Sequence, residues 1–266
     1  MNVHPRPDLC LLSWNILAPC WVNQDWYPTL FEIAVNHHER LNKIGDRILS
    51  LGYDVVLIQE AQEDTVLLLR QKLDDHYVFH SAWNHPTAAS VRNGLLTLIR
   101  KNWKYASTTA MSHGILDVDR GEAIQIMTIP SKNIHIVNLH LDYTHRLCQA
   151  KLVKDKCRIL LDTTNSVTIL AGDMNAETDE CDRFEWNDFE DVFRESDHCI
   201  RIPTFYSDPS RAECNTAIDH IFYNPYKLKL IEHGKAWDIS NGSLADALTE
   251  IGSDHIYVWA RFNFCP

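Results

Sequence analysis

The chain has no pair of cysteines at C-x-x-C spacing, although it holds eight cysteines. Scattered thiols give neither a zinc-ribbon ligand set nor the framework of a small disulfide-stapled domain. They fit reduced side chains in an intracellular, cytoplasmic protein. No apolar run approaches the roughly 20 residues that cross a bilayer, so no membrane span is expected. The start of the chain lacks a signal-peptide pattern: Pro5 and Pro7 interrupt it, and Ser13 and Asn15 break the apolar run that follows. Basic residues are in short supply, 25 Lys and Arg against 36 Asp and Glu, for a formal net charge of −11. That excludes a non-specific duplex binder, which needs cations to neutralise phosphates. A nucleic-acid substrate has to be met by a local basic patch or by metal ions. No repeat period, low-complexity tract or linker interrupts the sequence. Its 266 residues, 45% apolar and 23% charged, are read as one globular domain over 1–266 with ample core.

What the chain does have is a series of apolar strands that end in polar groups. Residues 9–16, LCLLSWNI, read as a strand closed by Asn15. Residues 37–51 read as an amphipathic helix with Leu41, Ile44, Ile48 and Leu51 on its stripe, Arg40, Lys43 and Arg47 off it, and Gly52 as its stop. The next strand, 54–60, ends at Glu60. Strand, helix and strand within 60 residues predict a layered α/β fold. A second helix over 61–75 carries Val66, Leu69 and Leu73. Strands follow at 95–100, 124–129 and 134–140, the last ending in Asn138 and His140. The helix 145–161 carries Arg146, Lys151, Lys154, Lys156 and Arg158, the most basic stretch of the chain; such a run is by default a solvated face. Further strands are expected at 217–223, 226–233 and 256–260.

Val167 to Ala171 reads as a buried strand. Gly172 is expected to let the chain turn, and Asp173 and Asn175 to point to one side of an extended backbone. Alone, that pair is as well explained by a capping turn. The other polar strand ends shift the balance. A fold that stacks Asn15, Glu60, His140, Asp173, Asn175, Asp219, Asp254 and His255 together collects four carboxylates and two imidazoles. Unpaired, such a cluster costs several kcal/mol in desolvation and like-charge repulsion. Oxygen-rich ligands with few imidazoles favour Mg²⁺ or Mn²⁺ over zinc.

Ser13-Trp14-Asn15, Ile58-Gln59-Glu60, Asn138-Leu139-His140-Leu141, Gly172-Asp173-Met174-Asn175, Ile218-Asp219-His220-Ile221 and Ser253-Asp254-His255 occur in the order of the endonuclease/exonuclease/phosphatase superfamily. Over residues 9–262 the chain resembles this DNase I-like family of metal-dependent phosphoesterases. The run Asn15-Ile16-Leu17-Ala18 is most similar to the deadenylase and nocturnin branch. The resemblance implies a four-layer αββα sandwich, with two mostly antiparallel sheets facing each other and helices outside.

The resemblance also implies roles. Glu60 is a metal ligand, Asn15 binds or orients at the metal, and Asp254 is a second acidic contributor. Asp173 orients or deprotonates the attacking water, and Asn175 holds that water or a phosphate oxygen. His140 and His255 donate to the non-bridging oxygens, and Asp219 fixes the His255 tautomer. Tyr143 is a further phosphate contact. Arg92 and Asn93 lie where relatives place a substrate loop, although Asn93-Gly94 equally reads as a hairpin turn. Trp21, Trp26 and Trp186 fall in loops, where they can stack on bases or pack as core. His37, His38, His76, His80, His85, His113, His198 and His220 carry no functional expectation.

Three functions remain open at this point. The first is a Mg²⁺- or Mn²⁺-dependent phosphodiesterase acting as a 3′ exonuclease on single-stranded RNA. The second is the same chemistry on a small or lipid phosphoester, or on DNA ends, which suits the acidic composition. The third is a catalytically silent scaffold; the intact carboxylates and histidines of the motifs count against it.

Overall fold

In a computed structural model of the chain, the described residues are 6–86, 93–117, 120–160, 166–194, 202–212, 215–226, 228–236 and 242–265, with 158–160 described in backbone alone. The strands are β1 (Leu9–Asn15), β2 (Val55–Ala61), β3 (Tyr77–Trp83), β4 (Gly94–Arg100), β5 (Ala110–Ile115), β6 (Ala123–Ile129), β7 (Ile134–His140), β8 (Val167–Asp173), β9 (Glu190–Asp191), β10 (Asp219–Tyr223), β11 (Leu228–Lys235) and β12 (Val258–Phe264). They form two six-stranded sheets, ordered β11-β12-β1-β2-β4-β3 and β5-β6-β7-β8-β10-β9. Each sheet is antiparallel except at one parallel pair, β1 with β2 and β7 with β8.

Alternation along the strands builds the layers. Leu9, Leu11, Val55 and Leu57 of one sheet share an apolar cluster with Ile134, Ile136, Val167, Ile169 and Ala171 of the other, so these faces meet. The opposite residues, Leu12, Trp14, Val56 and Ile58, pack outward on helices His37–Leu51 and Glu63–Leu73 through Leu41, Ile44, Ile48, Leu69 and Leu73. On the far side, Val137, Leu139 and Leu170 pack on Ala150, Val153 and Cys157 of the helix Arg146–Leu160. Each fully buried Leu or Ile contributes roughly 1.5–3 kcal/mol. The result is the four-layer sandwich that the resemblance implied.

The His37–Leu51 helix keeps its expected bounds. Asn36 caps its start by accepting from the Glu39 amide, and Gly52 ends it at φ +60 with its N–H on the Ile48 carbonyl. One residue departs from expectation: Arg40 lies off the apolar stripe in sequence yet is buried. Among the described residues no helix is long and apolar enough to cross a membrane.

Candidate active site

The inner face turns polar at one end of the sandwich. Along β1 it reads Leu9, Leu11, Ser13, Asn15; along β7, Ile134, Ile136, Asn138, His140; along β8, Val167, Ile169, Ala171, Asp173. β10 runs antiparallel to β8, so its polar residue Asp219 comes first and lies opposite Asp173. Asp254 and His255 precede β12, which runs antiparallel to β1, for the same reason. Below this end a buried amide belt ties the sheets together. Gln59 Nε2 donates to Asn138 Oδ1 at 2.8 Å and to Ser13 Oγ at 3.2 Å, and Thr97 donates across the sheets to Gln125 at 2.7 Å.

Two residues break the alternation. Glu60 follows Gln59, so strict period-two pairing would turn it toward the outer helices. Instead the register of β2 against β4 shifts between Ile58 and Ala61, and Glu60 takes φ +60. That bulge re-aims the carboxylate to the polar end. Asn175 takes φ +48, so the chain beyond Asp173 is not extended and the expected same-side pairing of Asp173 and Asn175 is corrected. Left-handed backbone at a non-glycine residue costs of order 1 kcal/mol, and such positions concentrate at functional sites. Gly172 is also corrected. It lies inside β8 rather than at a turn, at φ +149, and a Cβ there would overlap the Leu139 carbonyl of β7.

The side chains converge on one oxygen. Asn15 Nδ2 donates to Asp173 Oδ2 at 2.9 Å, and the Nε2 atoms of His140 and His255 each stand 3.7 Å from that same oxygen. The distance of 3.7 Å is too long for a hydrogen bond. Asp173 Oδ1 accepts from the Asn175 N–H at 2.8 Å, while Asn175 Nδ2 donates to the Leu141 carbonyl at 2.8 Å. Asn15 Nδ2 also donates to Glu60 Oε1 at 2.9 Å. Its Oδ1 accepts from the Leu17 N–H at 3.1 Å, which fixes the amide with nitrogen toward the carboxylates. Glu60 Oε2 accepts from the Ala18 N–H at 2.8 Å.

On the other side, His255 Nδ1 pairs with Asp219 Oδ2 at 2.8 Å, and both residues are buried. Asp219 Oδ1 is buried without a hydrogen-bond partner among the described residues. The Asp219 N–H is held by Thr204 Oγ1 at 3.0 Å, and the ring of Phe205 lies 5.1 Å from that of His255. Asp254 Oδ2 accepts from the Tyr27 hydroxyl at 2.8 Å. Ser253 donates to the Asn15 carbonyl at 2.8 Å and accepts from the His255 N–H at 3.1 Å, joining the two segments.

Burial opposes charge on His255, yet Asp219 and then Asp173 hold its pKa well above the ordinary histidine value. Burial also lifts the Glu60 carboxyl; His140 pulls it down, the Asp254 charge lifts it, and Asn15 and Ala18 pull it down, for a net rise. Burial and Asp254 push the Tyr27 phenol well above its usual value, so it stays a donor.

Asp173, Asp219 and His255 offer ligand atoms within 4.8 Å of one another, a spacing that a divalent ion can bridge. Their compactness has another cause, the His255–Asp219 hydrogen bond. An imidazole held protonated has no lone pair for a metal. Glu60 and Asp254 are the other two carboxylates at this end, and the Asp254 charge acts on Glu60, whose carboxyl burial lifts. They are the hard oxygen donors that Mg²⁺ or Mn²⁺ takes.

The remaining sequence candidates divide. Tyr143 is 68% exposed, and its ring lies 5.1 Å from the Arg146 guanidinium. Asn93 is buried and pairs with Asn84 at 3.0 Å, so it closes the β3–β4 connection and is not the corner of a two-residue hairpin. Arg92 and His198 lie outside the described residues. Trp186 is buried, with Nε1 on the Ala150 carbonyl at 3.1 Å, so it packs as core. Trp21 and Trp26 are 43% and 48% exposed. His220, turned outward, is buried against Asp191 at 2.8 Å. Along the basic helix, Lys151 and Lys154 are exposed and Arg146 is paired with Glu180. Sequence reasoning missed Tyr27, Thr204 and Phe205. Nothing local marks them, since their partners lie 227, 15 and 50 positions away respectively.

Among solved structures, the chain resembles ANGEL2, described as a 2′,3′-cyclic phosphatase, at 16% identity over 96% of this chain and 94% of that one, with a TM-score of 0.75. It resembles a humanized TDP2 from D. rerio at 16% identity over 96% and 98%, with a TM-score of 0.68. An endonuclease/exonuclease/phosphatase family protein from Leptotrichia buccalis C-1013-b is similar at 17% identity over 96% and 100%, also with a TM-score of 0.68. Identities this low speak for the fold alone. No curated protein matches. The sequence model of the endonuclease/exonuclease/phosphatase family, a family of phosphodiesterases and phosphatases, matches residues 12–255. The chain therefore belongs to the endonuclease/exonuclease/phosphatase family.

Proposed function

We propose that the protein is a divalent-metal-dependent phosphodiesterase acting on the 3′ end of single-stranded RNA. The observation that carries the chemistry is the convergence on Asp173 Oδ2, with Asn15 at 2.9 Å and two imidazole Nε2 atoms at 3.7 Å. The gap suits a water or phosphoryl oxygen between base and donors. Asp173 takes the proton of the attacking water as its oxygen bonds to phosphorus. The ester P–O bond breaks in line, and the leaving oxygen is protonated from solvent. His255, kept charged by Asp219, and His140 donate to the non-bridging oxygens as negative charge grows there. Asn15 orients Glu60 and Asp173, and Asn175 fixes Asp173 through its backbone N–H. Glu60 and Asp254 would hold Mg²⁺ or Mn²⁺, which supplies charge neutralisation and a more acidic water.

Support for a single-stranded substrate is the exposure of Trp21, Trp26 and Tyr143, with Arg146 beside Tyr143 and the Arg211 guanidinium 4.0 Å from the Trp26 ring centroid. Unpaired bases stack on such rings. Two relatives agree in kind: TDP2 has been solved with a single-strand DNA product, and ANGEL2 with adenosine-2′,3′-vanadate. Six described cysteines are free thiols, in keeping with an intracellular setting. The formal charge of −11 favours a second reading, a small phosphoester or a 2′,3′-cyclic phosphate end.

The test is a substrate panel with Mg²⁺, Mn²⁺ or EDTA: 5′-labelled single-stranded RNA ending in poly(A), the matching DNA, RNA ending in a 2′,3′-cyclic phosphate, a 2′-5′ oligoadenylate and small esters. The expected result is a metal-dependent ladder shortened from the RNA 3′ end. Turnover confined to cyclic ends or small esters replaces the RNA reading with the second one.

A further inference from the structure

Arg40 stands in the first turn of the His37–Leu51 helix with 2% of its surface exposed. A guanidinium is costly there on three counts. Burial strips its water, and among the described residues it has no ion-pair partner. The helix N-terminus carries partial positive charge that repels it. Fixing its long side chain also forfeits rotamer entropy. Yet all five of its N–H groups have acceptors. Nε donates to the Ala34 carbonyl at 2.9 Å, Nη1 to those of Ile16 at 3.1 Å and Gly252 at 2.7 Å, and Nη2 to that of Leu17 at 3.0 Å. The fifth contact is His37 Nδ1 at 3.3 Å.

Three of those carbonyls, Ile16, Leu17 and Gly252, belong to two segments far apart in sequence. Ile16 and Leu17 lie between Asn15 and Ala18, whose N–H holds Glu60. Gly252 precedes Ser253-Asp254-His255. Gly252 takes φ +94, and a Cβ on it would stand 2.6 Å from the Arg40 carbonyl oxygen, so the two residues interlock from both directions. The field at Arg40 is also that of the site: burial lowers its pKa, and the Asp254 and Glu60 carboxylates act against that fall.

We propose that Arg40 is a positioning residue whose guanidinium fork clamps segments 16–18 and 252–255 together and so sets the spacing of Glu60 and Asp254. The metal effect expected below rests on the cation reading of those two carboxylates; the clamp itself does not. A lysine keeps the charge but has one compact ammonium, which cannot span both segments with a rigid fork.

The test uses Arg40→Lys and Arg40→Met in the full chain, with Asp54→Asn as a control for general destabilisation. Asp54 is buried, accepts from Arg6 and the Cys10 N–H, and lies at the opposite end of β2 from Glu60. Amide hydrogen exchange without metal is the first readout, and Mn²⁺ binding by electron paramagnetic resonance the second. Exchange should rise at least tenfold in peptides covering both 16–18 and 251–255, in Arg40→Lys as in Arg40→Met. Mn²⁺ should bind roughly tenfold more weakly in both. The control should lose thermal stability without either local effect. Wild-type exchange at either segment in Arg40→Lys, or a uniform rise like that of the control, overturns the clamp. Mn²⁺ binding that is unchanged, or tighter in Arg40→Met, overturns the spacing role and leaves only an electrostatic one. If wild type binds no Mn²⁺, the cation reading fails, and the exchange data decide the clamp alone. Should Arg40→Met not fold, Arg40→Lys carries the test.

Discussion

Replacing Asp219 by Asn keeps the shape of the side chain and removes its charge. In the structure Asp219 Oδ2 lies 2.8 Å from His255 Nδ1, with both groups buried and Thr204 holding the Asp219 amide. A hydrogen bond to a charged group is worth about 1.5–3 kcal/mol. At 1.4 kcal/mol per factor of ten, its loss lowers kcat/KM roughly 10- to 150-fold. The pH profile should move as well. Asp219 leads the influences that raise the His255 pKa, so in Asp219→Asn the alkaline limb of kcat/KM shifts to lower pH. The stability linkage has the same sign. A histidine whose folded pKa is raised stabilises the fold fully below its unfolded pKa, about 6.5, and loses that contribution as pH rises through the folded value. Wild type should therefore melt lower as pH climbs above about 6.5, and Asp219→Asn should show a shallower decline. Steady-state hydrolysis of a dinucleotide and melting curves from pH 5 to about 9 decide it. An Asp219→Asn variant with the wild-type pH profile would refute the His255–Asp219 coupling.

Other perturbations give separate checks. The lifted pKa of Glu60 means that its ionisation costs stability as pH rises from its unfolded value through the folded one, so Mn²⁺ should raise the melting temperature more at pH 7 than at pH 5; an equal rise at both contradicts the Glu60 assignment. Gly172→Ala forces a Cβ into the Leu139 carbonyl, and urea unfolding should show a loss of more than about 4 kcal/mol, whereas an unchanged midpoint would mean that β7 and β8 do not approach so closely. Asn138→Ala removes one of the two acceptors of Gln59 Nε2 and the side-chain donor to the Ile58 and Leu96 carbonyls, and urea unfolding should show a loss of roughly 1–3 kcal/mol for each group left unsatisfied. His220→Asn should lower stability through its pair with Asp191 while leaving kcat/KM within about twofold of wild type; a large catalytic loss would bring that outer pair into the mechanism.

Much of the frame is legible in the chain because period-two alternation and its polar endings are local signals. Leu9, Leu11, Ser13 and Asn15 announce both the buried face and the end where chemistry sits. The same pattern on β7 and β8 predicts that His140 and Asp173 share that end, and the reversed pattern on β10 follows from its antiparallel course. What alternation hides is any departure from it. Glu60 reaches the site through a register shift, and Asn175 turns out of the strand at positive φ; neither event leaves a local composition signal. Arg40 looks like an exposed charge because helical periodicity judges a side chain by its own helix, and its acceptors come from residues 16, 17, 34 and 252. Trp186 sits in a stretch with little regular structure, so its burial under the Arg146–Leu160 helix depends on tertiary packing alone.

The most direct test of the phosphoesterase site is Asp173→Asn, assayed beside wild type on labelled single-stranded RNA with Mg²⁺ and with EDTA, with circular dichroism on both proteins. Asp173 accepts from Asn15 and from the Asn175 N–H and stands 3.7 Å from both imidazole Nε2 atoms, and asparagine retains its shape while losing the proton acceptor. The account predicts Mg²⁺-dependent cleavage by wild type, abolished by EDTA and lowered by about 10²–10⁴ in the variant, with an unchanged spectrum. Cleavage by Asp173→Asn at the wild-type rate would contradict it, as would wild-type cleavage that persists in EDTA.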